Sequence, residues 1–225
     1  MYKFFILSGA SSAGKTTSLN SLVESGLCEK ALKYSEREKR GNSDDIVHID
    51  NIYDTNISCD MIYTMYNNKY GINTKQIKER LKKRHQIAVI SDIKSLIELK
   101  KKIKNNVVII YILSDINIEN FIADYIEKNK IIISDKDKER LYYLAKNISD
   151  AIERYEWQKF DDFNSQLIKE AQHVIERCDD FIKRYNSLVE SYHIYTNNIT
   201  LFDHLVLNFK DVNRYNQCID IIKIY

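Results

Sequence analysis

Gly9-Ala10-Ser11-Ser12-Ala13-Gly14-Lys15-Thr16 is the stretch on which the fold of this chain depends. An apolar run, Phe4 to Leu7, precedes it, and a helix-like segment, residues 17–23, follows it. This is the pattern G-x-x-x-x-G-K-T with the strand and the helix that a phosphate-binding loop (P-loop) requires on its two sides. The glycines let the loop curl so that backbone N–H groups converge on one phosphate, and the helix N-terminus adds partial positive charge. The pattern predicts binding of a nucleoside triphosphate, and the flanks disfavour the alternative of an ordinary Gly/Ser loop.

Two side chains of the P-loop have distinct expected roles. Lys15 would reach the β- and γ-phosphates, and the Thr16 hydroxyl would ligate the Mg²⁺ that bridges them. The predicted cofactor is therefore Mg²⁺, with ATP as the phosphate donor. The residues expected to contact ATP are Gly9, Ala10, Ser11, Ser12, Ala13, Gly14, Lys15, Thr16 and Thr17.

Length and composition indicate one globular domain with embellishments. The 225 residues are 44% hydrophobic and 29% charged, with a formal net charge of +2. A chain of this size builds a self-sufficient core, and so small a charge gives no argument for binding nucleic acid or an acidic membrane surface. The four cysteines form no C-x-x-C pair, and no segment approaches the ~18 apolar residues of a membrane span. We therefore expect a cytoplasmic protein with no nucleic-acid partner and no membrane association.

The middle of the chain alternates apolar runs with amphipathic segments. Strands are predicted at Ile87–Ile90 and Val107–Ile112, and helices at Ile93–Lys104 and Asn117–Glu127. Continuous apolar strands between helices indicate a parallel sheet that is covered on both faces. Such sheets bind ligands beyond the carboxyl ends of their strands, where the P-loop lies. The predicted fold class is α/β, a three-layer P-loop NTPase fold around a central parallel sheet.

From Asp135 to about Tyr192 the apolar residues recur at three- and four-residue steps. This periodicity predicts either two long helices or one that breaks near Asp161-Asp162. Two roles of the apolar stripe stay open: burial within a helical hairpin or against the core, and a surface for homodimerisation. Phe202–Asn208 returns to strand character and Val212–Ile222 to helix, so we expect the helices to be an insertion within one fold.

Two arginines lie in a polar loop after a predicted strand at residues 31–34. Arg37 and Arg40 are three residues apart, and Ser35 lies just before them. Guanidinium groups at this spacing can converge on one phosphate dianion, although arginines in a polar loop are often solvent-facing charges. The pair is therefore a candidate clamp for a second phosphate group.

The order of motifs behind the P-loop resembles that of guanylate kinases. Those enzymes continue with S/T-x-R-x-x-R, an acidic loop, an aromatic segment ending in Tyr-Gly, a helix, a strand followed by Asp, and a late Tyr-Asp-His-Val-x-x-Asn strand. The counterparts here are Ser35-Glu36-Arg37-Glu38-Lys39-Arg40, Asp44-Asp45, Lys69-Tyr70-Gly71-Ile72, Gln76–Arg84, Val89-Ile90-Ser91-Asp92 and Phe202–Asn208. The resemblance covers residues 1 to about 128 and 200 to 225, in order and at compatible spacing.

On the acceptor side, the resemblance implies a role for each matching residue. Ser35, Arg37, Arg40 and Tyr70 would bind the monophosphate of the acceptor nucleotide, with the Tyr70 hydroxyl donating. Asp92 would lie near the acceptor base and near the metal shell, so it is a second candidate ligand of Mg²⁺ beside Thr16.

On the donor side, Asn208 matches the asparagine that contacts the adenine of ATP. Arg140 resembles a lid arginine that closes on the phosphates. The catalytic residues that the resemblance implies are thus Lys15, Arg37, Arg40 and Arg140.

The resemblance also implies a layout. Residues 1–225 would form a single guanylate kinase-like P-loop domain, with a small nucleoside monophosphate-binding subdomain at about 33–86. The helical lid or insertion would occupy about 129–198.

The chain departs from the family at the positions that contact guanine. The family has a serine four residues before the first arginine and a glutamate nine residues before the Tyr-Gly tyrosine, where this chain has Lys33 and Met61. Asp60 or Thr64 could substitute from nearby, but a methionine is only a weak hydrogen-bond acceptor. The first lid arginine also has no clean counterpart, because Asn129 falls near its place.

The predicted function is Mg²⁺-dependent phosphoryl transfer from ATP to a nucleoside monophosphate, GMP or dGMP in the first instance. The altered guanine-contacting positions keep open a P-loop phosphotransferase or NTPase with another acceptor. The long helices keep open a nucleotide-regulated interaction module that works through the helical insertion.

Overall fold

Strands and helices alternate in residues 86–129, as the apolar runs of the middle of the chain predict. The computed structural model describes residues 2–11, 13–38, 45–65, 67–114, 117–154, 156–176, 178–208 and 213–225. The strands in these ranges are β1 (Phe4–Gly9), β2 (Glu29–Lys30), β3 (Lys33–Ser35), β4 (Val47–His48), β5 (Met61–Met65), β6 (Asn68–Ile72), β7 (Gln86–Val89), β8 (Val107–Ser114) and β9 (His204–Asn208). The α-helices are α1 (Lys15–Glu24), α2 (Thr74–Arg80), α3 (Ile93–Ile103), α4 (Ile118–Asn129), α5 (Asp135–Glu153), α6 (Trp157–Val174), α7 (Cys178–Val189), α8 (Ser191–Asn197) and α9 (Arg214–Lys223).

The central sheet has the strand order β2-β7-β1-β8-β9, and each neighbouring pair is parallel. The side chains of β1 alternate between the two faces, because successive residues of a strand point to opposite sides. Phe4 and Ile6 pack in the cluster that contains α3, whereas Phe5 and Leu7 pack in the cluster that contains α1 and α9. Helices thus cover both faces, which confirms the α/β class with a central parallel sheet, and the P-loop follows directly from the buried strand β1.

A second, smaller sheet has the order β4-β3-β6-β5. β3 pairs in parallel with β4 and antiparallel with β6, which also pairs antiparallel with β5. Ser35 lies opposite Tyr70, and Tyr70 lies opposite Tyr63. Since directly opposed residues face the same side of a sheet and so do residues two apart on one strand, Lys33 shares this face with Ser35 and both tyrosines.

The described residues divide into two compact units, residues 1–114 with 191–225 and residues 115–190. The second unit holds α4 to α7 around its own apolar core, to which Phe121, Leu144, Leu167 and Phe181 contribute. The predicted helical character of this region is confirmed. A break near Asp161-Asp162 is wrong, however, because both residues lie on the exposed side of α6 and the breaks come instead after α5 and after α6.

The chain returns to the first unit through α8 and β9. The Tyr111 hydroxyl donates a hydrogen bond of 2.8 Å to the carbonyl of Ser191, and β9 pairs with β8 from His204 to Asn208. The prediction that the last strand rejoins the sheet is therefore confirmed.

Candidate active site

The two glycines of the P-loop occupy backbone conformations that other residues rarely adopt. Gly9 has φ +139° and lies so close to β8 that a Cβ there would meet the Ile112 carbonyl oxygen at 2.3 Å. Gly14 has φ +84° and is the N-cap of α1. The sequence pattern thus corresponds to a physical requirement, because the loop must leave β1 against a neighbouring strand and then enter a helix.

Lys15 and the two threonines stand at the entry to α1. The Lys15 ammonium donates to the carbonyl oxygens of Gly9, at 3.0 Å, and of Ala10, which places it over the loop. Thr16 and Thr17 are exposed in the first turn of α1, a turn that contains no acidic side chain. The helix end therefore keeps its partial positive charge, as anion binding requires. Ser12 lies outside the described residues.

The loop after β3 and the strand β6 bring three predicted acceptor residues together. The Arg37 Nε donates to the Tyr70 hydroxyl at 3.3 Å, and the Arg37 backbone N–H donates to the Ser35 hydroxyl at 3.3 Å. Ser35 is fully buried and donates in turn to the Lys69 carbonyl at 2.7 Å. We call Ser35, Arg37 and Tyr70 the clamp. Arg40 lies outside the described residues.

Lys33 ties the small sheet to the edge of the central sheet at which the P-loop begins. Its ammonium donates to the Val89 carbonyl at 2.8 Å, and Val89 lies opposite Leu7 of β1, two residues before Gly9. The carboxyl ends of β1 and β7 therefore face both the P-loop and the strand that carries Ser35.

Asp92 follows β7 at the same edge. One of its carboxylate oxygens accepts from the Ser95 backbone N–H at 2.8 Å and from the Ser95 hydroxyl at 2.5 Å, so Asp92 is the N-cap of α3. Burial raises the pKa of the Tyr63 hydroxyl well above its ordinary value, and Asp45, Tyr70 and Asp92 nearby raise it further. Asp92 therefore caps α3 and also lies close to the face of the small sheet that carries Tyr63 and Tyr70.

Asn208 lies at the carboxyl end of β9, and its amide Nδ2 donates to the Ala13 carbonyl of the P-loop at 3.2 Å. The structure adds a residue that the sequence did not single out. The Arg214 Nη1 donates to the Asn208 Oδ1 at 2.7 Å, and its Nε donates to the Ser18 hydroxyl at 3.2 Å. No motif marks this arginine, since it is one of several basic residues in the C-terminal segment.

Lys33 and Met61 stand at the two positions where guanylate kinases have their guanine-contacting serine and glutamate. The sequence did not reveal what these two side chains contact. Lys33 is only 5% exposed, forms an ion pair with Asp45 and lies 5.4 Å from the centre of the Tyr70 ring. Met61 is buried in the apolar cluster beneath the sheet. These two positions therefore carry a buried ion pair and an apolar side chain, where the guanylate kinase pattern has a serine and a glutamate.

Asp60 and Thr64, the two candidates to replace the guanine-contacting glutamate of guanylate kinases, differ in how far their side chains are already engaged within the protein. Asp60 accepts from the Thr74 backbone N–H at 2.7 Å and from its hydroxyl at 2.6 Å, and its carboxylate lies 3.7 Å from the Lys102 ammonium. Burial raises the pKa of Asp60, but these hydrogen bonds and Lys102 together hold it below its ordinary value. Asp60 thus anchors the start of α2, whereas Thr64 is exposed on β5.

Arg140 and Asn129 belong to the helical unit. The Arg140 Nε lies 2.8 Å from a carboxylate oxygen of Glu170, which joins α5 to α6. The Asn129 side chain donates to the Tyr125 carbonyl at 2.8 Å, within the last turn of α4. The expected roles of this region in closing over phosphates stay predictions.

Three serine hydroxyls at the carboxyl ends of the central strands are buried and have no hydrogen-bond partner in the described part of the chain. Ser8 directly precedes Gly9, Ser91 directly precedes Asp92, and Ser114 pairs in register with Asn208. Buried hydroxyls in folded proteins nearly always have a partner, whether protein, water or ligand. Unpaired hydroxyls on β1, on β8 and just after β7 therefore leave room at this edge for hydrogen bonds to a polar ligand or to water.

The donor set at this edge suits Mg²⁺ held together with phosphates. Within the described ranges, no group of three or more His, Cys, Asp or Glu side chains is arranged to hold a metal ion. Mg²⁺ in phosphate sites keeps several waters and takes only one or two protein ligands. The exposed Thr16 hydroxyl would be one such ligand, and Asp92, which follows the next strand, would be the other.

We compared the chain with known proteins by sequence and by structure. No family model matches the sequence, and no curated protein matches it either. The structure is similar to the crystal structure of guanylate kinase from Anaplasma phagocytophilum, with a TM-score of 0.52 and 14% sequence identity over 99% of this chain and 85% of that one. The chain therefore has a guanylate kinase-like fold. At this identity the similarity establishes the α/β fold with its five-stranded parallel sheet and its second small sheet. In the described part of the chain, no helix has the length and apolarity that a membrane crossing requires.

Proposed function

We propose that this protein binds ATP with Mg²⁺ at the P-loop and transfers the γ-phosphoryl group to a nucleoside monophosphate bound at the clamp. The observation that supports the proposal is that two candidate phosphate-binding features lie near one edge of the central sheet, the P-loop after β1 of that sheet and the clamp on the small sheet beside it. The P-loop follows β1 there, and the clamp lies on a strand that is tied to β7 through Lys33 and Val89. Two phosphate sites beside each other are what transfer between two nucleotides requires.

The chemistry that the chain supplies is electrostatic. Two anionic phosphates repel each other, so Lys15 and Arg37, with Arg40 and Arg140 as further expected contributors, would screen them and keep the attacking oxygen in line. Mg²⁺, when bound, supplies further neutralisation of the phosphate charge, and Thr16 would be its protein ligand. The acceptor phosphate already carries its nucleophilic oxygen, so no strong general base is required.

GMP and dGMP are the acceptors that the guanylate kinase-like fold favours. A second candidate, a phosphotransferase with another acceptor, is favoured by one specific observation. Met61 is turned into the core and Lys33 is engaged with Asp45, so the positions expected to contact guanine present a different set of groups.

The test is ADP release by the purified protein with ATP, Mg²⁺ and each of GMP, dGMP, AMP, CMP and UMP. Acceleration by GMP and dGMP alone supports the first acceptor class, and acceleration by another nucleotide supports the second. Turnover that is the same with and without each nucleotide would contradict the proposal for these acceptors.

Two substitutions separate the donor side from the acceptor side. Lys15→Ala removes the cation over the P-loop and should lower turnover by roughly a hundredfold or more, in line with the loss of one preorganised charge at a transferring phosphate. Arg37→Ala should mainly raise the KM for the acceptor, since it opens the clamp. Arg80→Ala is the control, because Arg80 is a half-buried arginine of the same unit that pairs with Glu29 on β2. An unchanged acceptor KM in Arg37→Ala would show that the clamp is misassigned.

A further inference from the structure

Arg214 lies against the second half of the P-loop. Its guanidinium is held at two points, by the Ser18 hydroxyl of α1 at 3.2 Å and by the Asn208 Oδ1 of β9 at 2.7 Å. The guanidinium carbon is so close to Gly14 that a Cβ on that residue would lie 2.5 Å away. An arginine from the last helix therefore packs directly on the glycine that begins α1.

The contact continues into the backbone of the loop through Asn208. The Arg214 Nη1 donor fixes which end of the Asn208 amide is the acceptor, so the Nδ2 end faces the Ala13 carbonyl and donates to it at 3.2 Å. In a trans peptide unit the C=O and the following N–H point in opposite directions. Holding the Ala13 carbonyl toward Asn208 thus directs the Gly14 N–H in the opposite direction within the same peptide plane, away from Asn208.

We propose that Arg214 is a positioning residue for the phosphates of the donor nucleotide, which acts through Asn208 to orient the Gly14 N–H within the P-loop. The inference rests on the proposed binding of ATP at this loop. Backbone N–H groups of such a loop bind phosphate through fixed dipoles, which contribute most when they are oriented before the ligand arrives. Without Arg214, the Asn208 amide can rotate and the peptide unit between Ala13 and Gly14 loses its external constraint.

The experiment measures the affinity of ATP, ADP and AMP, each with Mg²⁺, for the wild-type protein and its variants by titration calorimetry. Arg214→Met keeps the aliphatic stem and should weaken ATP and ADP binding roughly tenfold, the size of effect that the loss of hydrogen bonds to a charged group produces. AMP, which presents one phosphate, should be affected by no more than about twofold. Arg214→Lys keeps the charge but not the planar fork, so it should recover only part of the loss.

A second arm tests whether Arg214 acts through Asn208. In an Asn208→Ala background, Arg214→Met should cause little further loss of ATP affinity, because the route to the Ala13 carbonyl is already gone. Arg80→Met is the matched control and should bind all three nucleotides like the wild type.

The outcomes separate this inference from the proposed function. Failure of the wild-type protein to bind ATP would overturn both. Normal ATP binding by the wild type and by a folded Arg214→Met variant would overturn the inference alone. An equal loss of affinity for AMP, ADP and ATP would also overturn the inference. It would mean that Arg214 acts on the part that the three nucleotides share, such as the base, and not on the further phosphates. If Arg214→Met does not fold, Arg214→Lys and Arg214→Gln replace it, and wild-type affinity in both would again contradict the proposal.

Discussion

At the scale of single residues, the short distance between Gly9 and the backbone of β8 explains why this position must be a glycine. The strand β1 and its neighbour β8 run side by side through the register Gly9 to Ile112, and the backbone oxygen of Ile112 occupies the space that a side chain would need. A flexible side chain could move aside, but a carbonyl in a central sheet cannot do so without disturbing the ladder. The first glycine of the P-loop is therefore required by packing as well as by its conformation.

Gly9→Ala should therefore destabilise the protein by about 2–5 kcal/mol, the combined range expected for a strained backbone and an overpacked site. Gly26→Ala is the matched control. Gly26 also has positive φ, +75°, but a Cβ added there would have the tip of Arg84 as its nearest neighbour, at 3.6 Å, so only the conformational cost of about 1 kcal/mol remains. Urea unfolding of both variants measures the difference. Equal losses would show that the contact with Ile112 is not the cause.

Lys33 marks the limit of sequence reasoning at this scale. The sequence pattern showed that this chain has a lysine where guanylate kinases have a serine, but not which groups the ammonium contacts. The structure places it against Asp45, the Val89 carbonyl and the Tyr70 ring, three groups from separate segments of the chain. A buried charge needs such partners, and partners that are distant in sequence cannot be deduced from local spacing.

At the scale of elements, prediction succeeded where one physical signal dominated. β1 and β8 are runs of consecutive apolar residues, which is the pattern of strands buried on both faces, and the P-loop fixes the start of α1. The breaks on either side of α6 were missed for an equally physical reason. The chain contains no proline, and its glycines all precede residue 72, so the usual markers of a helix end are missing from this region.

The packing of α7 against α6 includes one buried hydrogen bond, which a substitution at Tyr185 can test. Tyr185 of α7 is fully buried and donates a hydrogen bond of 2.6 Å to the Asn164 side chain of α6. Burial raises the pKa of this tyrosine above its ordinary value of 10. A raised pKa means that the folded protein favours the neutral phenol, so its contribution to stability is complete below pH 10 and is lost as the pH rises above the pKa of the unfolded chain.

Tyr185→Phe should cost about 1 kcal/mol at pH 7, because the buried Asn164 oxygen loses its partner. Above pH 10 the variant should lose stability less steeply than the wild type, by at most about 1.4 kcal/mol per pH unit for a single group. Chemical unfolding at pH 7 to 11 provides the measurement, and Tyr143→Phe, on the exposed side of α5, is the control. Parallel curves for the wild type and Tyr185→Phe would rule out this linkage.

At the scale of the whole molecule, the P-loop brings together the two ends of the chain. The strand and helix that flank it come from the first 24 residues, whereas Asn208 and Arg214 come from the last 18. The candidate site therefore depends on closure of the first unit by β9 and α9. The sequence indicated this closure only through the strand character of Phe202–Asn208, and the side-chain contacts that complete it needed the structure.

This arrangement predicts which segments of the chain a nucleotide bound at the P-loop should stabilise. A ligand that binds only the folded state stabilises it, by about 2.7 kcal/mol at a hundredfold excess over its Kd. Because the P-loop contacts join β1, α1, β9 and α9, Mg²⁺-ADP should slow amide hydrogen exchange in residues 4–24 and 204–223 together. The amides of α6 and α7, in the other compact unit, serve as the internal reference and should change least.

Mass spectrometry of the exchanged peptides would show this pattern in the wild type, and Lys15→Ala should lose it. Protection confined to residues 4–24 would contradict the coupling, since it would mean that β9 and α9 do not respond to a nucleotide at the P-loop.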